Sequence, residues 1–110
     1  MTIEVRTYID AQGRRPFATW LDGLSGAAHA KIQTAIARME AGNLSNVRSV
    51  GSGVLEYRID FGPGYRIYFG RDGDALIILL GGGTKRRQQR DIEAARVLWQ
   101  EYRLRRRRRR

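Results

Sequence analysis

The chain lacks cysteine altogether and contains a single histidine, His29, among its 110 residues. Disulfide bonds are therefore excluded, and a zinc site would lack most of its usual thiolate and imidazole ligands. The sequence also lacks an apolar run of the roughly 18–20 residues that cross a membrane, and it does not open with a charged-then-apolar leader. We expect a cytoplasmic protein with no cofactor, no bound metal and no membrane partner.

Negative charge is scarce as well, because 11 Asp and Glu residues stand against 21 Lys and Arg residues, for a net charge of +10. Part of the excess lies in the arginine run at residues 105–110, which we expect to be a disordered basic tail behind one domain spanning residues 1–104. The domain stays basic without this tail. Its charge favours an anionic partner, with nucleic acid ahead of a membrane surface.

The most regular part of the sequence runs from Gly53 to Gly83 and predicts three antiparallel strands joined by two tight turns. Apolar and polar residues alternate through residues 54–61 and again through residues 65–69, which places one face of each strand toward a core. Residues 75–80 form a continuous apolar run, which is typical of a central strand covered on both faces. We therefore predict an antiparallel sheet.

The Gly62-Pro63-Gly64 turn predicts the register of the first two strands. A three-residue turn places Asp60 opposite Arg66 and Arg58 opposite Tyr68. Opposed residues share a face, so this polar set lies on the side of the sheet away from the predicted core. We expect that side to be open to solvent.

Helical periodicity predicts the remaining elements. A short strand over residues 2–9 precedes two amphipathic helices, which form a hairpin at residues 16–42, and residues 43–52 read as a loop. After Gly81-Gly82-Gly83, which we place at the end of the last strand, a third helix carries an apolar stripe formed by Ile92, Ala95, Leu98, Trp99 and Tyr102. The predicted fold class is α+β, in the order β-α-α-β-β-β-α.

Several segments together resemble the RelE/ParE toxin superfamily, and more narrowly the HigB-like addiction module killer toxins of bacterial type II toxin–antitoxin systems. They are PFATWLDGL, the alanine-rich second helix ending in Gly-Asn, VGSGVLEYRIDFGPGYRIYF, LLGGGTK and QQRDIEAA. The resemblance covers residues 17–102. It implies a RelE-like fold and a ribosome-dependent endoribonuclease that cuts mRNA without metal. It also implies three partners: the ribosome, its mRNA, and a cognate antitoxin with a HigA-like helix-turn-helix fold.

The resemblance also implies that basic residues on the polar sheet face carry the chemistry. Arginine stays protonated and binds phosphate oxygens bidentately, so Arg58 and Arg66 suit stabilisation of the phosphorane charge. Lys85 is a candidate proton donor or second phosphate contact, and Arg86 and Arg87 are candidate RNA contacts near the start of the last helix. Asp91 completes the candidate catalytic set.

The general base is left open among three carboxylates, Glu56, Asp60 and Asp91. Asp60 is alternatively an ion-pair partner of Arg66, and Glu56 is alternatively an exposed strand residue or one that orients Arg58. Tyr68 is a candidate for stacking on an RNA base, with cross-strand packing as its alternative.

Two other functions remain open. ParE-like members of the same superfamily poison DNA gyrase through protein contacts, and a basic RNA-binding module would keep the fold without catalysis. The basic set formed by Arg58, Arg66 and Lys85 favours the ribonuclease, because a gyrase poison does not need it.

Overall fold

A five-stranded mixed sheet forms the centre of the protein in its computed structural model, which describes residues 2–108. The strands are β1 (Glu4–Thr7), β2 (Val47–Ser49), β3 (Leu55–Ile59), β4 (Tyr65–Arg71) and β5 (Leu76–Thr84). Their spatial order is β1-β5-β4-β3-β2. β1 runs parallel to β5, and every other neighbouring pair is antiparallel. This confirms the predicted α+β class. The prediction of an antiparallel sheet is wrong at its β1 edge, where β1 pairs in parallel with β5, and β2 is a short edge strand in the segment predicted to be a loop.

The two helices predicted within residues 16–42 are present and cover one face of the sheet. They are α1 (Pro16–Asp22), which has proline at its first position, and α2 (Gly26–Glu40). Proline suits that position because its missing N–H would have no intrahelical partner there. Phe17 of α1 and Ile32 and Met39 of α2 are buried against the apolar side of the central strands. The alternation in β3 and β4 therefore identified this core face correctly.

The opposite face is covered by the long helix α3 (Gln88–Arg108), which follows a single 3-10 turn at Lys85–Arg87. Its predicted apolar stripe is confirmed, since Ile92, Ala95 and Trp99 are buried against the sheet. A Cβ at Gly70 of β4 would overlap the ring of Trp99, so glycine is what lets the indole lie directly on the strand. The polar face of the sheet is therefore largely covered by α3, and the expectation of an open solvent face is wrong.

Strand β5 lies between β1 and β4 and is buried on both faces along Ile77–Leu80, as predicted. The three consecutive glycines are part of this strand, which continues to Thr84, whereas we had placed them at its end. They allow close contacts on both sides of the sheet. A Cβ at Gly82 would overlap the ring of Trp20, and a Cβ at Gly83 would overlap the carboxylate of Asp91.

The register of β3 against β4 differs from the prediction by two residues. Arg58 lies opposite Arg66, and Glu56 lies opposite Tyr68. The turn spans residues 60–64 because Phe61 is also part of it: its carbonyl accepts a hydrogen bond from the Gly64 N–H at 3.0 Å. The predicted pair between Asp60 and Arg66 is therefore wrong, while the faces assigned to the strand residues are unchanged.

The basic run also differs from its prediction. α3 continues through Arg108, so residues 105–108 are helical where we expected disorder, and residues 109–110 lie outside the described part of the chain. Arginine is a good helix former, and two of these side chains have partners on the domain. Arg105 Nη1 donates to the Ile9 carbonyl at 2.8 Å, and Arg106 Nε lies 2.6 Å from Asp72 Oδ2. Among residues 2–108, no helix combines the length and the apolar character needed to cross a membrane.

Candidate functional site

Three segments meet at one end of the sheet: the turn between β3 and β4, the end of β5, and the start of α3. The Lys85 N–H donates to the Gly64 carbonyl at 2.9 Å, which fastens the end of β5 to the turn. The position of a Cβ on Gly64 lies 3.2 Å from Arg66 Nη1 and 3.6 Å from Lys85 Cβ. The structure therefore brings Arg66 and Lys85 together next to this glycine, as the sequence predicted.

Arg66 is only 6% exposed, because α3 covers the side of β4 from which it projects. Its Nη1 donates to the Gly64 carbonyl at 3.2 Å, and its Nε lies 3.7 Å from Glu56 Oε2. No hydrogen bond reaches the buried Nε within the described residues. Arg66 thus brings a positive charge to the floor of the site, where we had expected it at the surface.

Glu56 is the most deeply buried charged group of the site, with a fully buried side chain. Its Oε1 accepts a hydrogen bond from Arg48 Nε at 2.8 Å, and its Oε2 accepts one from Gln88 Nε2 at 2.8 Å. Although burial acts to raise it, the pKa of Glu56 lies below its ordinary value because these donors stabilise the carboxylate. Glu56 therefore stays ionised and holds Arg48, Gln88 and Arg66 in place. The predictions that Glu56 is an exposed strand residue or that it orients Arg58 are both wrong.

Tyr68 is fully buried beneath α3. Burial raises the pKa of its hydroxyl, and the neighbouring charge of Glu56 raises it further. The ring consequently offers no free face to an RNA base, so the stacking role is wrong and the packing alternative describes this residue. The charges of Asp91 and Arg66 also affect the pKa of this hydroxyl. Tyr68 is therefore close enough to Glu56, Asp91 and Arg66 to interact with all three electrostatically.

Asp91 lies in the first turn of α3, directly over Gly83. Gly83 is the residue opposite Arg66 in the ladder between β4 and β5, so the carboxyl group and the guanidinium belong to the same corner of the sheet. Burial raises the pKa of Asp91, and the positive charges of Arg87 and Arg90 offset that increase only in part. Its Oδ2 is buried and has no hydrogen-bond partner among the described residues. Asp91 therefore takes up a proton more readily than an ordinary aspartate, whereas Glu56 holds its charge more strongly than an ordinary glutamate.

The rim of the site carries the remaining predicted cations. Arg58, Lys85, Arg86 and Arg87 are all exposed. Arg58 lies opposite Arg66 in the ladder and shares its face, so the exposed and buried arginines are direct neighbours. Asp60 is exposed in the turn and forms no ion pair within residues 2–108, so it stands apart from the buried network.

Sequence reasoning missed Arg48 and Gln88, the two direct hydrogen-bond donors to Glu56. Arg48 lies in β2, directly opposite Glu56 in the β2–β3 hairpin. An acidic and a basic residue eight positions apart on either side of the glycine-rich segment at residues 51–53 would have indicated such a hairpin. No comparable local signal identifies Gln88.

These features define a small basic α+β protein with a buried ion network beneath a cationic rim. Residues 19–100 match the model of the family described as phage derived protein Gp49-like (DUF891). The chain is also 41% identical over 105 residues to an uncharacterized protein of Haemophilus influenzae strain Rd, an alignment covering 94% of this chain and all of the relative. The chain belongs to the Gp49-like family, which is a family of toxin–antitoxin toxins of the RelE/HigB type.

Proposed function

We propose that the protein is the toxin of a type II toxin–antitoxin system and that it cleaves mRNA on the ribosome. One observation carries this proposal beyond the family. A carboxyl group with a raised pKa, Asp91, and a buried guanidinium, Arg66, flank Gly83 beneath an exposed cationic rim. Such a corner combines a group that can exchange a proton with fixed positive charge for a phosphate.

The proposed reaction is attack of an RNA 2′-hydroxyl oxygen on the adjacent phosphorus. The 2′-oxygen loses its proton to a base as the new P–O bond forms, and the 5′-oxygen takes up a proton as its bond to phosphorus breaks. Between these events the phosphorane carries additional negative charge. A site for this chemistry therefore needs proton transfer and positive charge within contact distance of one phosphate.

Each group of the site suits a different part of this reaction. Asp91 is the proposed proton-transfer residue, because its raised pKa brings it closer to neutral pH than an ordinary aspartate. Arg58 and Lys85 are the proposed phosphate contacts, since both are exposed beside the corner. Arg66 is the proposed source of additional positive charge for the phosphate, from its buried position beneath the exposed cations. Glu56 is unsuited to act as the base, because its pKa is lowered and three basic or amide side chains surround it.

The decisive experiment adds the purified protein to a translating extract and maps mRNA ends by primer extension, with active ribosomes and with ribosomes omitted. We expect new 3′ ends that require ribosomes. Asp91→Asn and Arg58→Ala should each reduce the cleavage rate on the order of 10²-fold or more, as loss of one transition-state contact commonly does.

Arg15→Ala is the matched control, because Arg15 is an exposed arginine that precedes α1 on the other side of the sheet. It should cleave at the wild-type rate. Full cleavage by folded Asp91→Asn protein would eliminate Asp91 as the proton-transfer residue. An absence of mRNA cuts together with inhibition of gyrase supercoiling would replace the ribonuclease with the ParE-like function.

A further inference from the structure

The outer face of α3 exposes apolar side chains away from the proposed catalytic corner. Three large hydrophobic residues are exposed in the described part of the chain: Val97 at 66%, Leu104 at 45% and Ile9 at 43%. Val97 and Leu104 are seven residues apart on α3 and therefore lie on one side of the helix, two turns apart. Single exposed hydrophobic residues are ordinary on a protein surface, but here two of the three form one stripe.

Val97 and Leu104, together with Gln100, form a ridge between two shallow grooves. One groove is also lined by Arg96, Arg103 and Arg107, and the other is lined by Ala11, Glu101, Arg105 and Arg108. Ile9 lies next to the second groove, because Arg105 Nη1 donates to the Ile9 carbonyl at 2.8 Å. The three apolar side chains are thus part of one surface, which we call the α3 ridge.

The charge of the α3 ridge is strongly positive. Arg103, Arg107 and Arg108 make no ion pair within residues 2–108. Glu101 is the acidic residue that lines this surface, and its Oε1 already accepts hydrogen bonds from the Tyr8 hydroxyl and the Ala11 N–H. Its charge is therefore directed toward the domain, and the arginines are available to an external partner.

This combination of an apolar stripe and flanking arginines selects the chemistry of the partner. A second copy of the chain would bring more positive charge, since the protein carries +10 overall. A nucleic acid would use the arginines but gain little from Val97 and Leu104. An acidic amphipathic helix satisfies both, because its apolar residues at i, i+3 or i+4, and i+7 would pack on the stripe while its carboxylates meet the arginines.

We propose that the α3 ridge binds an acidic amphipathic helix of the antitoxin, an inference that rests on the proposed toxin function for the identity of the partner. The ridge lies toward the end of α3, whereas Asp91 lies in its first turn. The 13 residues from Asp91 to Leu104 correspond to about 20 Å along the helix axis. The antitoxin helix would therefore be held at a distance from the catalytic corner.

The test measures binding of the purified cognate antitoxin by isothermal titration calorimetry at low and high salt. The double variant Val97→Glu/Leu104→Glu should weaken binding by about 100-fold, as loss of central interface anchors commonly does. The matched control is Ala27→Glu/Ala30→Glu, which adds the same charge at two exposed positions of α2. It should bind within about threefold of wild type, and the wild-type affinity should fall as salt rises.

The mRNA cleavage assay, run without antitoxin on the same variants, separates this proposal from the proposed function. We expect the ridge variant to cleave mRNA normally and to escape neutralisation. If wild-type protein binds the antitoxin through the ridge but cuts no mRNA, the proposed function fails and the docking surface stands. Unchanged binding by the ridge variant would overturn the docking surface, as would an antitoxin that does not bind the wild-type protein. Loss of cleavage in the ridge variant with antitoxin binding intact would instead assign the ridge to RNA or the ribosome.

Discussion

The Nε atom of Arg66 lies 3.7 Å from Oε2 of Glu56, and both side chains are buried between the sheet and α3. A buried carboxylate is stable only where positive charge and hydrogen bonds replace water. Glu56 obtains these from Arg48 and Gln88 as well as from Arg66. Glu56 thus connects β2, β4 and the start of α3, the elements that carry the proposed catalytic corner.

This arrangement predicts that Arg66→Ala destabilises the fold as well as reducing cleavage. Removal of the guanidinium takes away one counter-charge of a buried carboxylate, and we expect a loss of about 1–3 kcal/mol in the free energy of unfolding. Arg58→Ala is the matched control: it removes the neighbouring arginine, which is exposed, and should change stability by less than about 0.5 kcal/mol. Urea denaturation of the two variants gives the comparison, and equal stabilities would show that Arg66 does not support Glu56.

The two carboxyl groups of the site should give opposite dependences of stability on pH. Glu56 has a lowered pKa in the folded protein, so it contributes stability above its ordinary pKa and loses that contribution as the pH falls through the folded value. Glu56→Gln should therefore cost most at neutral pH and least in acid. Asp91 has a raised pKa, so the folded state binds its proton more tightly, and its contribution to stability declines as the pH rises above its ordinary pKa.

Thermal melts of wild type, Glu56→Gln and Asp91→Asn at pH 7, 5 and 3 measure both effects. The difference in Tm between wild type and Glu56→Gln should shrink toward pH 3. For Asp91→Asn, the Tm relative to wild type should be higher at pH 7 than at pH 3. Differences that stay constant across this range would mean that neither carboxyl group is perturbed as described.

The site illustrates which parts of the structure periodicity can predict. Alternation in β3 and β4 identified the core face, and the helical stripe around Trp99 identified the buried side of α3, because both patterns follow from the repeat of one element. The same alternation correctly placed Glu56 and Arg66 on the polar face. Because the residues of this face are polar, we expected it to be exposed to solvent. Burial of that face depends on where α3 packs, which no single element determines.

The strand register was wrong for a related reason. Gly62-Pro63-Gly64 indicated a turn, but its true length depends on the backbone hydrogen bond between Gly64 and Phe61. A register shift of two residues preserves the faces and exchanges the partners, so Arg58 lies opposite Arg66 where we expected Asp60. Hydrophobic patterning predicts the face on which a strand residue lies more reliably than the residue opposite it. The reason is that a register shift of two residues leaves every side chain on the same face.

Close contact between helices and β5 predicts a sharp difference between two adjacent glycines. A Cβ on Gly82 would overlap the indole ring of Trp20, whereas a Cβ on Gly81 meets no other atom within 4 Å. Gly82→Ala should therefore lower the free energy of unfolding by about 1–3 kcal/mol through overpacking. Gly81→Ala, as its control, should be neutral or stabilising by up to about 1 kcal/mol, since alanine reduces the entropy of the unfolded chain. Equal denaturation midpoints for the two variants would show that Trp20 moves away without cost.

The final prediction concerns the end of α3, where the helical arginines make specific contacts with the domain. A chain ending at Leu104 loses the bond from Arg105 to the Ile9 carbonyl and the ion pair between Arg106 and Asp72. A chain ending at Arg106 retains both contacts while still losing the four arginines at residues 107–110. The two truncations therefore separate the effect of positive charge from the effect of the specific contacts.

Both truncations should weaken non-specific RNA binding and reduce its dependence on salt, because each removes cations that displace counterions from phosphate. Only the shorter chain should also lose stability, by about 1 kcal/mol, since exposed ion pairs and single hydrogen bonds each contribute modestly. Filter binding across a salt series and thermal melts provide the two measurements. If both truncated chains melted at the wild-type temperature, Arg105 and Arg106 would contribute charge alone.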